Sequence, residues 1–98
     1  MVRDTYAYRQ VAVESCLQGG KVHIRPLPGQ AYSPTLSVQC SQRLGTLYPV
    51  GTKFLLSAKL TDRLGGTPFL YAYHGDPDVV LSGAAAKAFL AEFRRGRI

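Results

Sequence analysis

Six consecutive residues, Tyr73-His74-Gly75-Asp76-Pro77-Asp78, form the densest group of chemically capable side chains in the sequence. An imidazole and two carboxylates this close together could ligate a divalent cation, or work as acid and base. The same residues also read as a turn. Asp before Pro starts turns by bonding its own backbone two residues on, and Asp78 would cap the next element. Turn chemistry accounts for the segment without a reaction, so no metal and no cofactor are assigned to it.

The other reactive types are less organised. Cys16 and Cys40 lack CxxC spacing and a His at ligand distance, so both are expected to be free thiols packed as small hydrophobes. No Ser or Cys lies in a GxSxG elbow. Gly19-Gly20 and Gly65-Gly66 read as hairpin turns, and no Walker loop is present. The expectation is a protein with no catalytic residues.

Charge is the stronger signal. Twelve Lys and Arg oppose six Asp and Glu, a net charge of +6, and eight of the twelve are Arg. Such a balance favours acidic partners, nucleic acid above all. Cations and rings interleave on the predicted strands. Lys21, His23 and Arg25 share one face, Lys53 and Lys59 another, and Arg63 sits at a hairpin tip. Tyr71 and Tyr73 line one strand, and Tyr6 and Tyr8 another. Cationic grooves with aromatic platforms hold single-stranded nucleic acid, DNA or RNA. A stripe of outward cations also guards an exposed strand against pairing. The alternative is therefore a protein-interaction or structural module, a homodimer through a sheet edge being one form. RNP, KH and cold-shock signatures are absent, and the one long helix does not suit a major groove.

These side chains need strands to position them. Gly51 to His74 predicts a β-hairpin: Phe54, Leu56, Ala58 and Leu60 alternate with Lys53, Ser57, Lys59 and Thr61. Asp62, Gly65 and Gly66 supply the turn, and Pro68 should begin the second limb. Residues 4–17 predict a long strand whose phase slips near Arg9 and Gln10, as at a β-bulge. Gln18-Gly19-Gly20 turns the chain into a strand from Lys21 to Leu27, with Val22 and Ile24 inward. Residues 26–34 carry three prolines and form a loop. Thr35 to Ser41 predicts a third strand, with Leu36, Val38 and Cys40 inward. Leu44, Leu47, Tyr48 and Val50 are expected to plug one end of the core. Val79, Val80 and Leu81 predict a short buried strand, and Ser82 caps a helix from about Gly83 to Arg95. Ala85, Phe89 and Phe93 form its apolar stripe, with Ala86 and Leu90 beside them.

The expected fold is α+β and mainly antiparallel β. It is a small curled sheet or half-open barrel, OB-like or SH3-like, of about five strands with one C-terminal helix. Residues 1–98 are read as one globular domain. No run approaches the roughly 18 apolar residues of a membrane span. The first ten residues have no apolar h-region, so the cytoplasm is the expected location and no membrane partner is expected.

Overall fold

The computed structural model describes residues 8–61 and 66–94. The strands are β1 (Arg9–Gln18), β2 (Lys21–Pro26), β3 (Val38–Gln39), β4 (Lys53–Thr61), β5 (Phe69–Ala72) and β6 (Val80–Leu81). A short helix, α1 (Arg43–Thr46), precedes β4, and α2 (Gly83–Arg94) ends the described chain. The sheet runs β2-β1-β4-β5-β3, with β6 also on β4. It is nearly closed into a barrel, open between β2 and β3. All pairings are antiparallel except β3 with β5, which is parallel, so the sheet is mainly antiparallel as expected.

Local chemistry sets the first hairpin. Gly19 and Gly20 have φ of 61° and 78°, the left-handed pair that a two-residue type I′ turn requires. The backbone N–H of Leu27 donates to Ala12 O at 2.9 Å, which fixes the phase of the β1–β2 ladder. Antiparallel pairs alternate between bonded and non-bonded. Lys21, His23 and Arg25 therefore bond to β1, and the backbones of Val22, Ile24 and Pro26 face the opening. Pro26 sits where a missing N–H costs no ladder bond.

The barrel interior is lined by Val11, Val13, Ile24, Phe54, Leu56, Ala58, Leu70 and Ala72, with Leu44 of α1 below. Tyr48 packs its ring edge-on against Phe54, with centroids 5.1 Å apart. Leu36, Val38 and Cys40 pack against this core as expected. A second, smaller core lies outside the barrel, where Ala86, Phe89 and Leu90 of α2 cover Ala12, Leu27 and Leu81. Ser82 Oγ accepts from Ala85 N at 3.0 Å, the expected N-cap.

Several expectations are corrected. The ladders hold one register from Arg9 to Gln18, so no bulge lies in that span. Val11-Ala12-Val13 is apolar throughout because the barrel core takes one face and α2 the other. Leu60 points inward but is 51 % exposed, because β1 pairs with β4 only as far as Ala58. Leu47 and Val50 are exposed instead of plugging the core, leaving that task to Leu44 and Tyr48. Val79 and Val80 are exposed at an edge. The helical stripe centres on Ala86, while Ala85 faces solvent. Tyr6, Asp62, Arg63, Gly65 and the Phe93 side chain lie outside the described residues. Among the described residues, no helix is long and apolar enough to cross a membrane.

Two polar side chains complete ladders that the backbone leaves unfinished. The Gln30 amide donates from Nε2 to Ala12 O (2.7 Å) and Leu27 O (2.8 Å) and accepts from Ala12 N (3.2 Å). It acts as one residue of a missing strand. Buried Ser15 accepts from Gly51 N at 3.1 Å and donates to Pro49 O at 3.3 Å, bridging the bend that enters β4.

Candidate nucleic-acid interface

Ladder register decides which side chains share a face, because partners across a strand pair point the same way. Cys16–His23, Glu14–Arg25, Gln18–Lys21, Glu14–Lys53 and Lys59–Tyr71 are all register partners. Lys21, His23, Arg25, Lys53, Lys59 and Tyr71 thus occupy the outer face of one sheet. That face is divided, because α2 crosses its middle over Ala12.

On one side of α2 the cations are engaged internally. Lys53 Nζ pairs with Glu14 Oε2 at 2.9 Å. Arg25 donates from Nη1 to Thr35 O at 2.8 Å and from Nη2 to Gln18 Oε1 at 3.3 Å, tying the long loop to the first hairpin. Both positions were expected to face a partner; each is spent largely on the fold.

On the other side a row of rings and one cation crosses the strands. Lys59 Nζ stands 5.5 Å from the centre of the Tyr8 ring, a cation–π contact. Tyr71 lies opposite Lys59, and Gln39 lies opposite Tyr71 in the parallel pairing. The His74 ring stacks on Tyr71, with centroids 5.9 Å apart and planes at 28°. Tyr73 is not part of this row. A Cβ on Gly75 would sit 2.5 Å from the Tyr73 ring, so that ring lies across the turn backbone. It lines a separate cleft of about 190 Å³ beside Asp76–Val79.

The row leads to the barrel opening. There a cleft of about 640 Å³ is bounded by Lys21–Ile24 on one side and Ser37–Gln42 on the other, with His74 at its edge. The side chains of Lys21 and His23 have no ion-pair or hydrogen-bond partner among the described residues.

The acidic turn has a different role from the one its composition suggests. Arg43 of α1 holds Asp78 through Nη2–Oδ1 at 3.0 Å and Nε–Oδ2 at 3.4 Å. The Tyr48 hydroxyl donates to Asp78 Oδ2 at 3.2 Å. The Arg43 hydrogen bond holds the Asp78 carboxyl below its ordinary range, and the same bond raises the Arg43 guanidinium. Desolvation, then the Asp78 charge, push the Tyr48 phenol up. Asp78 is therefore a clamp on α1 rather than the expected cap. Among the described residues no three His, Cys, Asp or Glu gather to hold a metal ion.

Cys16 and Cys40 are both free thiols and half-buried. Burial, and secondarily the Asp78 charge, push the Cys40 thiol to about 11. Cys16 is on the outer face opposite His23 rather than in the core.

Sequence reasoning missed the partners of Tyr71. His74 was legible only as a neighbour of carboxylates, and its stacking depends on how the chain leaves β5. Tyr8 was legible as a strand tyrosine, but not as the platform under Lys59. No family model matches the chain, and no curated protein or solved structure matches it.

Proposed function

We propose that this chain is a small basic nucleic-acid-binding accessory module, non-enzymatic and cytoplasmic, that holds a single strand mainly through its phosphates. The observation that supports this reading is the row Tyr8, Lys59, Tyr71 and His74, continued at the opening by Lys21 and His23. Rings offer faces on which any base stacks, and the ammonium groups meet phosphates. The strand would cross β4, β5 and β3 and avoid the region where α2 and Glu14 cover the sheet.

The test is a titration of the folded protein with single- and double-stranded oligonucleotides across a range of salt. Among the described residues, Lys21 and Lys59 are the cations available to phosphate at this surface. At roughly −0.7 per single-strand phosphate, the log–log slope should be about −1.4. Were Arg25 and Lys53 also to join, four contacts would give about −2.8 on the same scale. Absence of binding at low salt to every nucleic acid refutes the function.

A second reading has its own support. Leu17, its register partner Val22, Leu47 and Val50 are exposed apolar side chains. The Cβ of a residue at 45 would touch Val22 at 3.4 Å, so α1 brings Leu47 toward the same end of the barrel. An apolar end beside an unpaired β2 edge suits a protein-interaction module or a homodimer. Sedimentation equilibrium showing a dimer that Leu47→Lys dissociates would favour it.

A further inference from the structure

The cleft between β2 and β3 has a one-sided polar lining. Its polar side chains include Lys21, His23, Ser37, Gln42 and His74, and among the described residues no Asp or Glu lines it. The side chains of Lys21, His23, Ser37 and Gln42 carry donors without an internal partner among the described residues. Ser41 Oγ accepts from Arg43 N at 3.3 Å, which leaves its own proton to donate. Three cations elsewhere are matched: Lys53 with Glu14, Arg43 with Asp78, Arg25 with a carbonyl. An open cleft of unmatched donors with no carboxylate among the described residues has the chemistry of an anion site.

Two features narrow the anion. The floor is apolar, formed by Val22, Ile24 and Val38, so the ligand has an apolar part as well as a charge. His74 is a flat ring at the edge, with Tyr71 stacked on one of its faces. An anion joined to a planar group of nucleobase size answers both.

We propose that this cleft holds one nucleoside-phosphate unit, with the phosphate on Lys21 and the base against the face of His74 that Tyr71 leaves uncovered. The proposal rests on the single-strand reading above and makes the cleft the place where the strand passes through the opening. The same chemistry belongs to a free mononucleotide, and the experiment separates the two sources.

The full chain is titrated with fluorescein-labelled oligothymidylate, thymidine 5′-monophosphate and inorganic phosphate. Amide chemical shifts report the small ligands, and anisotropy reports the oligonucleotide. The variants are Lys21→Glu and Gln42→Glu, both at exposed positions, with melting curves to check folding. Thymidine monophosphate should shift the amides of Lys21, His23 and His74. It should bind about 5- to 150-fold tighter than inorganic phosphate, the worth of one stacked base. Each variant should weaken oligonucleotide binding at least about tenfold, and Lys21→Ala should reduce the salt slope by about 0.7.

Oligonucleotide binding unchanged in both variants but lost in Lys59→Glu overturns the cleft and leaves the function standing. A mononucleotide footprint in the cleft, with no oligonucleotide binding at any salt, keeps the cleft as a free-nucleotide site and overturns the function. Absence of both the footprint and any variant effect overturns the cleft outright. The footprint in the unsubstituted protein keeps the test decisive should a variant fail to fold.

Discussion

Reversing Lys59 and reversing Lys53 should have opposite consequences, although the two lysines sit on the same face of β4. Lys59 faces the Tyr8 ring and Tyr71 and has no carboxylate partner among the described residues. Lys59→Glu removes one cation–π contact, worth about 0.5–1 kcal/mol at an exposed site. It also places a carboxylate in the proposed strand path. Stability should fall by no more than about 1 kcal/mol, while oligonucleotide binding is lost. Lys53 is 2.9 Å from Glu14. Lys53→Glu removes that pair, worth about 0.2–1 kcal/mol for a partly exposed bridge. It adds like charges across a register pair, at roughly 0.2–1 kcal/mol more. The loss of about 0.4–2 kcal/mol should lower the melting temperature by several degrees, since 1 kcal/mol is worth roughly 4–8 °C in a small domain. Binding should fall little. Differential scanning calorimetry and anisotropy on the two variants and the parent decide the matter. Equal loss of binding in both variants, with the Lys53→Glu melting temperature unmoved, would refute the partition of the face into a spent side and an available side.

Three further outcomes are expected from the geometry. Gln30→Ala strips the buried Ala12 N–H of its acceptor, and chemical denaturation should show a loss of about 1–3 kcal/mol, whereas a loss below about 0.5 would mean that the mock strand residue contributes no more than a surface side chain. The folded-state carboxyl of Asp78 is depressed below 3.8, so its contribution is present at neutral pH and disappears as pH falls through the folded value; Asp78→Asn should lower the melting temperature at pH 7 and flatten the acid limb, and an identical acid limb in the variant would show that the clamp contributes nothing. With its thiol near 11, Cys40 is almost wholly protonated at pH 8 and should resist iodoacetamide there while labelling steeply above pH 10; fast labelling of Cys40 at pH 8 in folded protein would contradict its burial.

Much of the fold was legible because local rules agreed with it. The Gly19-Gly20 turn, the alternation of β4 and the Ser82 cap each follow local rules and took their expected places, while Pro68 stands one residue before β5. What the sequence concealed depends on neighbours distant along the chain. The apparent phase slip at Arg9 reflects two partners, a barrel core and a helix, on opposite faces of Val11-Ala12-Val13. Alternation could not reveal that, since it assumes one dry face. The parallel β3–β5 pairing spans only two residues and carries no composition signal. At the candidate site, the outward direction of Lys21, Lys53 and Lys59 was readable from period two. Which of them would find Glu14, and which a tyrosine, was set by cross-strand register and was not readable from period two.

The order of pairing also carries a kinetic consequence. β1 is paired along both edges, and its two partners differ greatly in distance along the chain. β2 comes after a two-residue turn, whereas Val13 meets Phe54 only after a long loop has closed. Loop closure is an entropic cost met before the ladder forms, and it slows folding. The first hairpin should therefore form early and the β1–β4 seam at the rate-limiting step. Substitutions at Phe54 and Val13 should slow refolding, and so should Val22→Ala, because the hairpin it belongs to is already formed at the barrier. Stopped-flow chevrons in which Val22→Ala leaves refolding unchanged and only speeds unfolding would show that the hairpin is consolidated after the barrier.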